Sequence, residues 1–214
     1  MKIGIIGAGH IGGTAARLFA RAGHEVALSN SRGPASLEDL VATINREVGG
    51  SRVRAATAAE AAKVGEIVLL AAPWRAQEAL PGPELARGKI VIDAMNPYGA
   101  SGSIIDLGGF TSSEEVAKRL PGARLVKAFN TIYYEHLARQ GRPDAPLEQR
   151  RAIFIAGDDV AAKKVVSGLI QEIGFAPVDT GTLREGGRSQ EPGGPLSNRN
   201  LTYAEAVTIL AAAS

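Results

Sequence analysis

Short apolar runs rich in β-branched residues recur at positions 3–6, 25–28, 67–71, 89–93, 124–128 and 152–156, with weaker ones near Val53 and Val178. Between most of them the apolar positions shift to helical spacing, as in Ile11, Ala15, Leu18, Phe19 and Ala22, or in Val165, Leu169 and Ile173. Strand and helix alternating in this way predict βαβ units with short right-handed connections. The expected fold is α/β, a Rossmann-type, doubly wound and mainly parallel sheet. Helix starts are also legible. Thr57 with Glu60 and Ser112 with Glu115 read as capping boxes, and Asp158 or Asp159 is placed to cap the helix that follows. Segments 81–88, 98–111 and 184–199 are rich in Gly, Pro and Ser and are expected as loops, the last long enough to serve as a lid or docking arm. A closing helix is expected over 203–213. The division that follows is residues 1–180 as one Rossmann-type domain and 181–214 as a small C-terminal loop and helix, packed on it or on a dimer partner.

Composition narrows the chemistry. The chain has 214 residues, a formal charge of +2 and no cysteine. It therefore offers neither disulfides nor thiolate catalysis, and any redox chemistry must be borrowed from a cofactor. Charged residues are spread without a basic stripe, so no nucleic-acid partner is expected. The apolar start runs into glycines before it could form a signal peptide's core, and no stretch approaches spanning length. A cytoplasmic protein without a membrane partner is the resulting expectation.

The first strand leads into Gly7-Ala8-Gly9-His10-Ile11-Gly12, a GxGxxG that opens the first helix. In such a loop Gly7 permits the tight turn, Gly9 lets backbone approach a pyrophosphate, and Gly12 allows close helix-to-strand packing. The helix N-terminus adds free N–H donors and partial positive charge. Because ligands of open α/β sheets bind beyond the carboxyl ends of the strands, the residues following each strand form the candidate site. After the second strand stands Asn30-Ser31-Arg32, where an NAD-binding fold would carry an acid. An Arg fork with adjacent hydroxyls suits a 2′-phosphate, so the expected cofactor is NADP(H). The fourth strand is followed by Ala72-Pro73-Trp74, the only tryptophan of the chain, which reads either as a wall on the nicotinamide side or as a core anchor. Asn96-Pro97-Tyr98 and Asn130-Thr131-Ile132 follow the fifth and sixth strands. Their amides can fix a carboxamide or ribose, or simply shape turns.

Catalytic groups are sparse. His10 lies inside the glycine loop, His24 reads as a turn residue and His136 as helix surface, and none has a carboxylate at metal-ligand spacing. No catalytic residue and no metal site are assigned. Such a site suits hydride transfer between two rings, in which the protein binds, aligns and excludes water. The competing reading is a non-catalytic NADP-binding sensor or docking module.

The glycine loop, Gly23-His24-Glu25-Val26, Ser31-Arg32, Pro73-Trp74, residues 126–132, Gly157-Asp158-Asp159 and residues 177–183, in this order, resemble the NADPH-dependent reductases of the deazaflavin coenzyme F420. The resemblance implies a Rossmann-type domain with a small C-terminal elaboration, usually a homodimer. It places NADP at the glycine loop and the Ser31-Arg32 turn, and the deazaflavin near the Pro73-Trp74 and Asn130-Thr131 loops. Beside the resemblance, the residues following the strands assign Ala72, Pro73, Trp74, Asn96, Pro97 and Asn130 to the cofactor and Tyr98, Thr131 and Ile132 to the substrate side, with F420 or a flavin as the small-molecule redox partner.

Overall fold

A computed structural model describes residues 1–212; Ala213, the last position of the expected closing helix, and Ser214 lie outside the described residues. The strands are β1 (Lys2–Ile6), β2 (Glu25–Ser29), β3 (Val53–Ala55), β4 (Ile67–Leu70), β5 (Ile90–Asp93), β6 (Arg124–Ala128), β7 (Ala152–Ala156) and β8 (Ala176–Asp179). They form one sheet in the order β3-β2-β1-β4-β5-β6-β7-β8. The first six strands are parallel and wind outward from β1 in both directions, which leaves a crevice where the order reverses between β1 and β4. Only β7 runs antiparallel to its neighbour β6, and β8 then pairs parallel to β7.

The helices are α1 (His10–Arg21), α2 (Glu38–Val48), α3 (Ala58–Val64), α4 (Pro83–Ala86), α5 (Ser112–Arg119), α6 (Tyr134–Arg139), α7 (Val160–Glu172), α8 (Glu185–Gln190) and α9 (Tyr203–Ala212). Alternate strand residues feed two cores. Ile3, Ile5, Leu69, Ile92 and Val126 pack with Phe19 of α1, Ile44 of α2, Leu137 of α6 and Leu169 of α7. Ile6, Val68, Val91 and Leu125 pack with Ala62 of α3, Ala86 of α4 and Val116 of α5. Burying side chains such as Phe19 contributes about 1.5–3 kcal/mol each before chain entropy is counted. Strand β1 carries Gly4 where α3 crosses, because a Cβ there would lie 2.1 Å from the Ala61 carbonyl oxygen.

Beyond β8 the chain returns over the sheet end, where Leu196 and Ala206 of α9 close a third cluster with Phe154 and Val178. Three local expectations change. The box opening α5 is Thr111 with Glu114, one residue earlier than Ser112 with Glu115, since Thr111 holds the extended backbone a cap requires. Segment 81–88 contains α4, with Pro83 in its first turn, and segment 184–199 contains α8. Asp159, rather than Asp158, caps α7 by accepting from the Ala162 N–H, while Asp158 accepts from Leu183 N.

Candidate nucleotide-binding site

At the carboxyl ends of β1, β2, β4 and β5 lies a cavity of about 660 Å³, lined by Gly7 to Ile11, Ser29 to Arg32, Ala71 to Pro73, Ala94 and Tyr98 among others. This is within the size range of cofactor sites. The three glycines of the loop differ in what surrounds them. Gly7 has φ 107° and donates its N–H to Ser29 O at 3.0 Å, tying the loop to β2. A Cβ on Gly12 would lie 1.8 Å from Gly7 O, so α1 reaches this depth only with glycine there. A Cβ on Gly9 would meet nothing within 4 Å. Gly9 also starts α1 without a side-chain cap, and no acidic residue sits in its first turn. Space, unclaimed N–H donors and the positive end of a helix dipole coincide at one point, as a pyrophosphate requires.

The turn after β2 is built from its own side chains. Asn30 Oδ1 accepts from Arg32 N at 2.9 Å, Asn30 Nδ2 donates to Ser36 Oγ at 2.9 Å, and Gly33 has φ 90°. Asn30 thus shapes the turn while Ser31 and Arg32 border the cavity, and no carboxylate lies within the turn. The residues present therefore fit a 2′-phosphorylated dinucleotide.

A smaller cavity of about 290 Å³ adjoins it, sharing Ala72, Pro73, Ala94 and Tyr98 and adding Trp74, Asn96 and Gly99. Trp74 is 6 % exposed, belongs to the core cluster that holds Val91 and Leu125, and lines this cavity. Asn96 and Asn130, just beyond the ends of the neighbouring strands β5 and β6, bond to each other. Asn96 Nδ2 donates to Asn130 O at 2.9 Å, and Asn130 Nδ2 donates to Asn96 Oδ1 at 3.1 Å and to Gln190 O at 2.9 Å. Asn130 Oδ1 is buried without a partner. Phe129, immediately before it, holds φ 66°, a left-handed conformation unusual for a bulky residue and of the kind that concentrates at functional sites. Thr131 and Ile132 are buried, Ile132 in the main core, and neither lines the two cavities.

Histidine placement is also resolved. His10 lines the cavity and stacks on Tyr134 at 4.1 Å between ring centres. The Tyr134 phenol is held above its usual range, chiefly by its hydrogen bond with Tyr133. His24 is a buried structural residue bonded to Glu172 at 2.7 Å. His136 Nδ1 faces the Arg151 guanidinium at 3.2 Å. No group of three or more potential metal ligands occurs among the described residues.

Two features escaped sequence reasoning. Gln190 of α8, fully buried, reaches Thr180 Oγ1 at 2.9 Å, so segment 184–199 is packed against the crevice wall. Lys127 and Asp93 form a buried ion pair behind it, 3.6 Å apart. Lys127 left a signal, a charge inside the apolar run 124–128; Gln190 left none, since only the tertiary fold brings it to Asn130.

Comparison with known proteins agrees with this geometry. Residues 2–97 match the family described as NADP oxidoreductase coenzyme F420-dependent. The F420-dependent NADP reductase of Methanothermobacter marburgensis is 32% identical over 198 residues, covering 86% of this chain and 85% of that protein. Among solved structures, a hypothetical protein from Sinorhizobium meliloti superposes with a TM-score of 0.78 at 36% identity, covering 94% of this chain and 95% of its own. A candidate F420-dependent NADP reductase from Arthrobacter sp. FB24 gives 0.71 at 27% identity, covering 86% of each chain.

Proposed function

The chain belongs to the family of coenzyme F420-dependent NADP oxidoreductases and is an NADP-dependent oxidoreductase, and from that premise we propose that it moves a hydride between NADPH and a deazaflavin or flavin-like ring. The reading rests on one observation above all: the cavity that begins at the Arg32 turn and passes the open space over Gly9 adjoins a second one walled by Trp74, Asn96 and Tyr98. In it Gly7, Gly9, Gly12 and the α1 terminus hold the pyrophosphate, and Ser31 with Arg32 holds the 2′-phosphate. Ala72, Pro73 and Trp74 border the nicotinamide, and the acceptor ring approaches from the side of Tyr98.

When bound, the reduced nicotinamide supplies the hydride, two electrons with one hydrogen nucleus; solvent supplies the proton that completes the acceptor's reduction. The chain's own task is to align two flat rings and keep water from between them. Both walls are suited to that. The Asn96–Asn130 pair and the Gln190 contact fix the loops beside the smaller cavity, and the exposed Tyr98, which lines both cavities, offers apolar cover.

Residues 1–180 form the nucleotide-binding unit of this proposal, with 181–214 as its small C-terminal attachment. The protein acts as a homodimer in the cytoplasm, and sedimentation velocity of the purified chain checks the first of these. No helix among the described residues is long and apolar enough to cross a membrane. The central experiment mixes the protein with 4-deuterated NADPH and a deazaflavin, with a flavin in parallel, and follows the label. Stereospecific transfer supports the reading. A protein that binds NADPH yet passes no label to either ring contradicts it.

A further inference from the structure

Behind the crevice floor, β5 and β6 end side by side with Asp93 and Lys127 in register. Both side chains are fully buried, as are Ser112 and Ser113 at the start of α5. The Lys127 ammonium donates to Met95 O at 3.2 Å, to Ser112 Oγ at 2.9 Å and to Ser113 Oγ at 3.2 Å, which uses all three of its hydrogens. Asp93 Oδ1 accepts the Met95 N–H at 3.0 Å, and Asp93 Oδ2 accepts Ser113 Oγ at 2.6 Å. Met95 is therefore gripped on both sides: its N–H by the carboxylate and its carbonyl by the ammonium.

That grip falls within the segment that lines the cavities, since Met95 itself borders the smaller one. Ala94 borders the larger cavity and Asn96 the smaller one, and Asn96 in turn holds Asn130 beyond the strained Phe129. A buried ion pair is a poor stabiliser compared with apolar residues of the same volume, because both charges lose their hydration. Its place here, clamping the two peptides that present Ala94 and Asn96, points to alignment.

We propose that Lys127, with Asp93 and the two serines, is a positioning residue for hydride transfer: it fixes the Ala94–Asn96 peptides and, through Asn96, the Asn130 loop. The ammonium touches neither cavity, so it acts through the backbone of Met95. This inference rests on the proposed use of the crevice for hydride transfer.

The test is the double variant Lys127→Met, Asp93→Asn, which removes both buried charges together and keeps both shapes. Ser112→Ala serves as the companion that weakens the Lys127 hold without stranding a charge. Amide hydrogen exchange, read without any acceptor, is expected to quicken about tenfold or more at residues 94–96 and 130 in the double variant and to stay near wild type in β1 and β2. NADPH affinity stays within about threefold, while label transfer to the deazaflavin slows about ten- to hundredfold with a larger deuterium isotope effect, the result of reacting atoms held out of line. Exchange that is unchanged, or raised equally throughout the sheet, overturns the inference, as does an unchanged transfer rate. A double variant that fails to fold shifts the decision to Ser112→Ala, which withdraws one acceptor from the Lys127 ammonium and leaves the ion pair intact; quickening confined to 94–96 supports the clamp, and unchanged or uniform exchange overturns it. Wild-type protein that passes no label removes the proposed function by itself, and the exchange pattern still decides the clamp.

Discussion

Replacing Gly9 by alanine separates binding from folding more cleanly than any other change in the glycine loop. Gly9 has φ −76° and ψ −163°, a conformation open to any residue, and its added Cβ meets no protein atom within 4 Å. Losing glycine at the helix start costs a few tenths to about 1 kcal/mol, and the stiffer unfolded chain returns a similar amount. Thermal stability should therefore stay within about 4 °C of wild type. The methyl nevertheless occupies the space over the α1 terminus that a pyrophosphate must enter. Overpacking of about 1–3 kcal/mol converts to roughly a five- to hundredfold loss of NADPH affinity, and Gly9→Val should exceed it. Gly12→Ala is the mirror case. Its Cβ falls 1.8 Å from the Gly7 carbonyl oxygen, backbone that has no room to yield. A cost of about 3 kcal/mol lowers the melting temperature by about 6 to 12 °C. Titration calorimetry with NADPH and thermal melts of the three variants provide the comparison. Gly9→Val that binds NADPH like wild type would refute the assignment of this loop as the pyrophosphate cradle.

Other outcomes follow from single contacts. Arg32→Ala should weaken NADPH about ten- to hundredfold and leave NADH unchanged, from the loss of a charge-assisted hydrogen bond of about 1.5–3 kcal/mol; an unaltered NADPH/NADH preference would place the 2′-phosphate elsewhere. Trp74 stands at the smaller cavity, so NADPH binding should quench its emission and excite the nicotinamide in return; Trp74→Phe abolishes that transfer while affinity stays within about threefold, as calorimetry will report. The Arg124 fork on Asp159, at 2.6 and 3.0 Å, together with the Ala162 N–H, holds the Asp159 carboxyl well below the usual carboxylate range. A depressed carboxylate contributes stability above its unfolded pKa, lost as pH falls through the folded one. Asp159→Asn should then melt lower at pH 7, with the difference narrowing below about pH 4 and closing in stronger acid. Thr111→Ala removes the α5 cap and the bond to Leu183 O, and chemical denaturation should show a loss of about 1–2 kcal/mol.

What the sequence disclosed and what it withheld divide along physical lines. Local rules carried the sheet. Apolar runs and helical spacing located all eight strands, and the glycine spacing identified the turn, because each depends on residues adjacent in the chain. The Asn30-Ser31-Arg32 turn was legible for the same reason, although its geometry shows Asn30 spending its side chain on the turn itself. Long-range pairing was not legible. Asn96 and Asn130 were singled out separately as strand-end residues, but their mutual bonds and the Gln190 contact depend on β5, β6 and α8 meeting in space. Ile132 read as crevice-facing from its place after β6, whereas the chain turns inward there and buries it with Leu137. Lys127 stood out as a charge inside an apolar run, but its burial runs against the ordinary rule that lysines face solvent, and only its three buried acceptors show why.

The most direct measurement of the central claim is a single-turnover reaction of the protein with 4-deuterated NADPH and F420, the label followed by NMR in both products. The account predicts that deuterium leaves one face of the nicotinamide and arrives on one face of the deazaflavin. NADPH that binds tightly while its deuterium remains in place, with F420 and with a flavin alike, would contradict it.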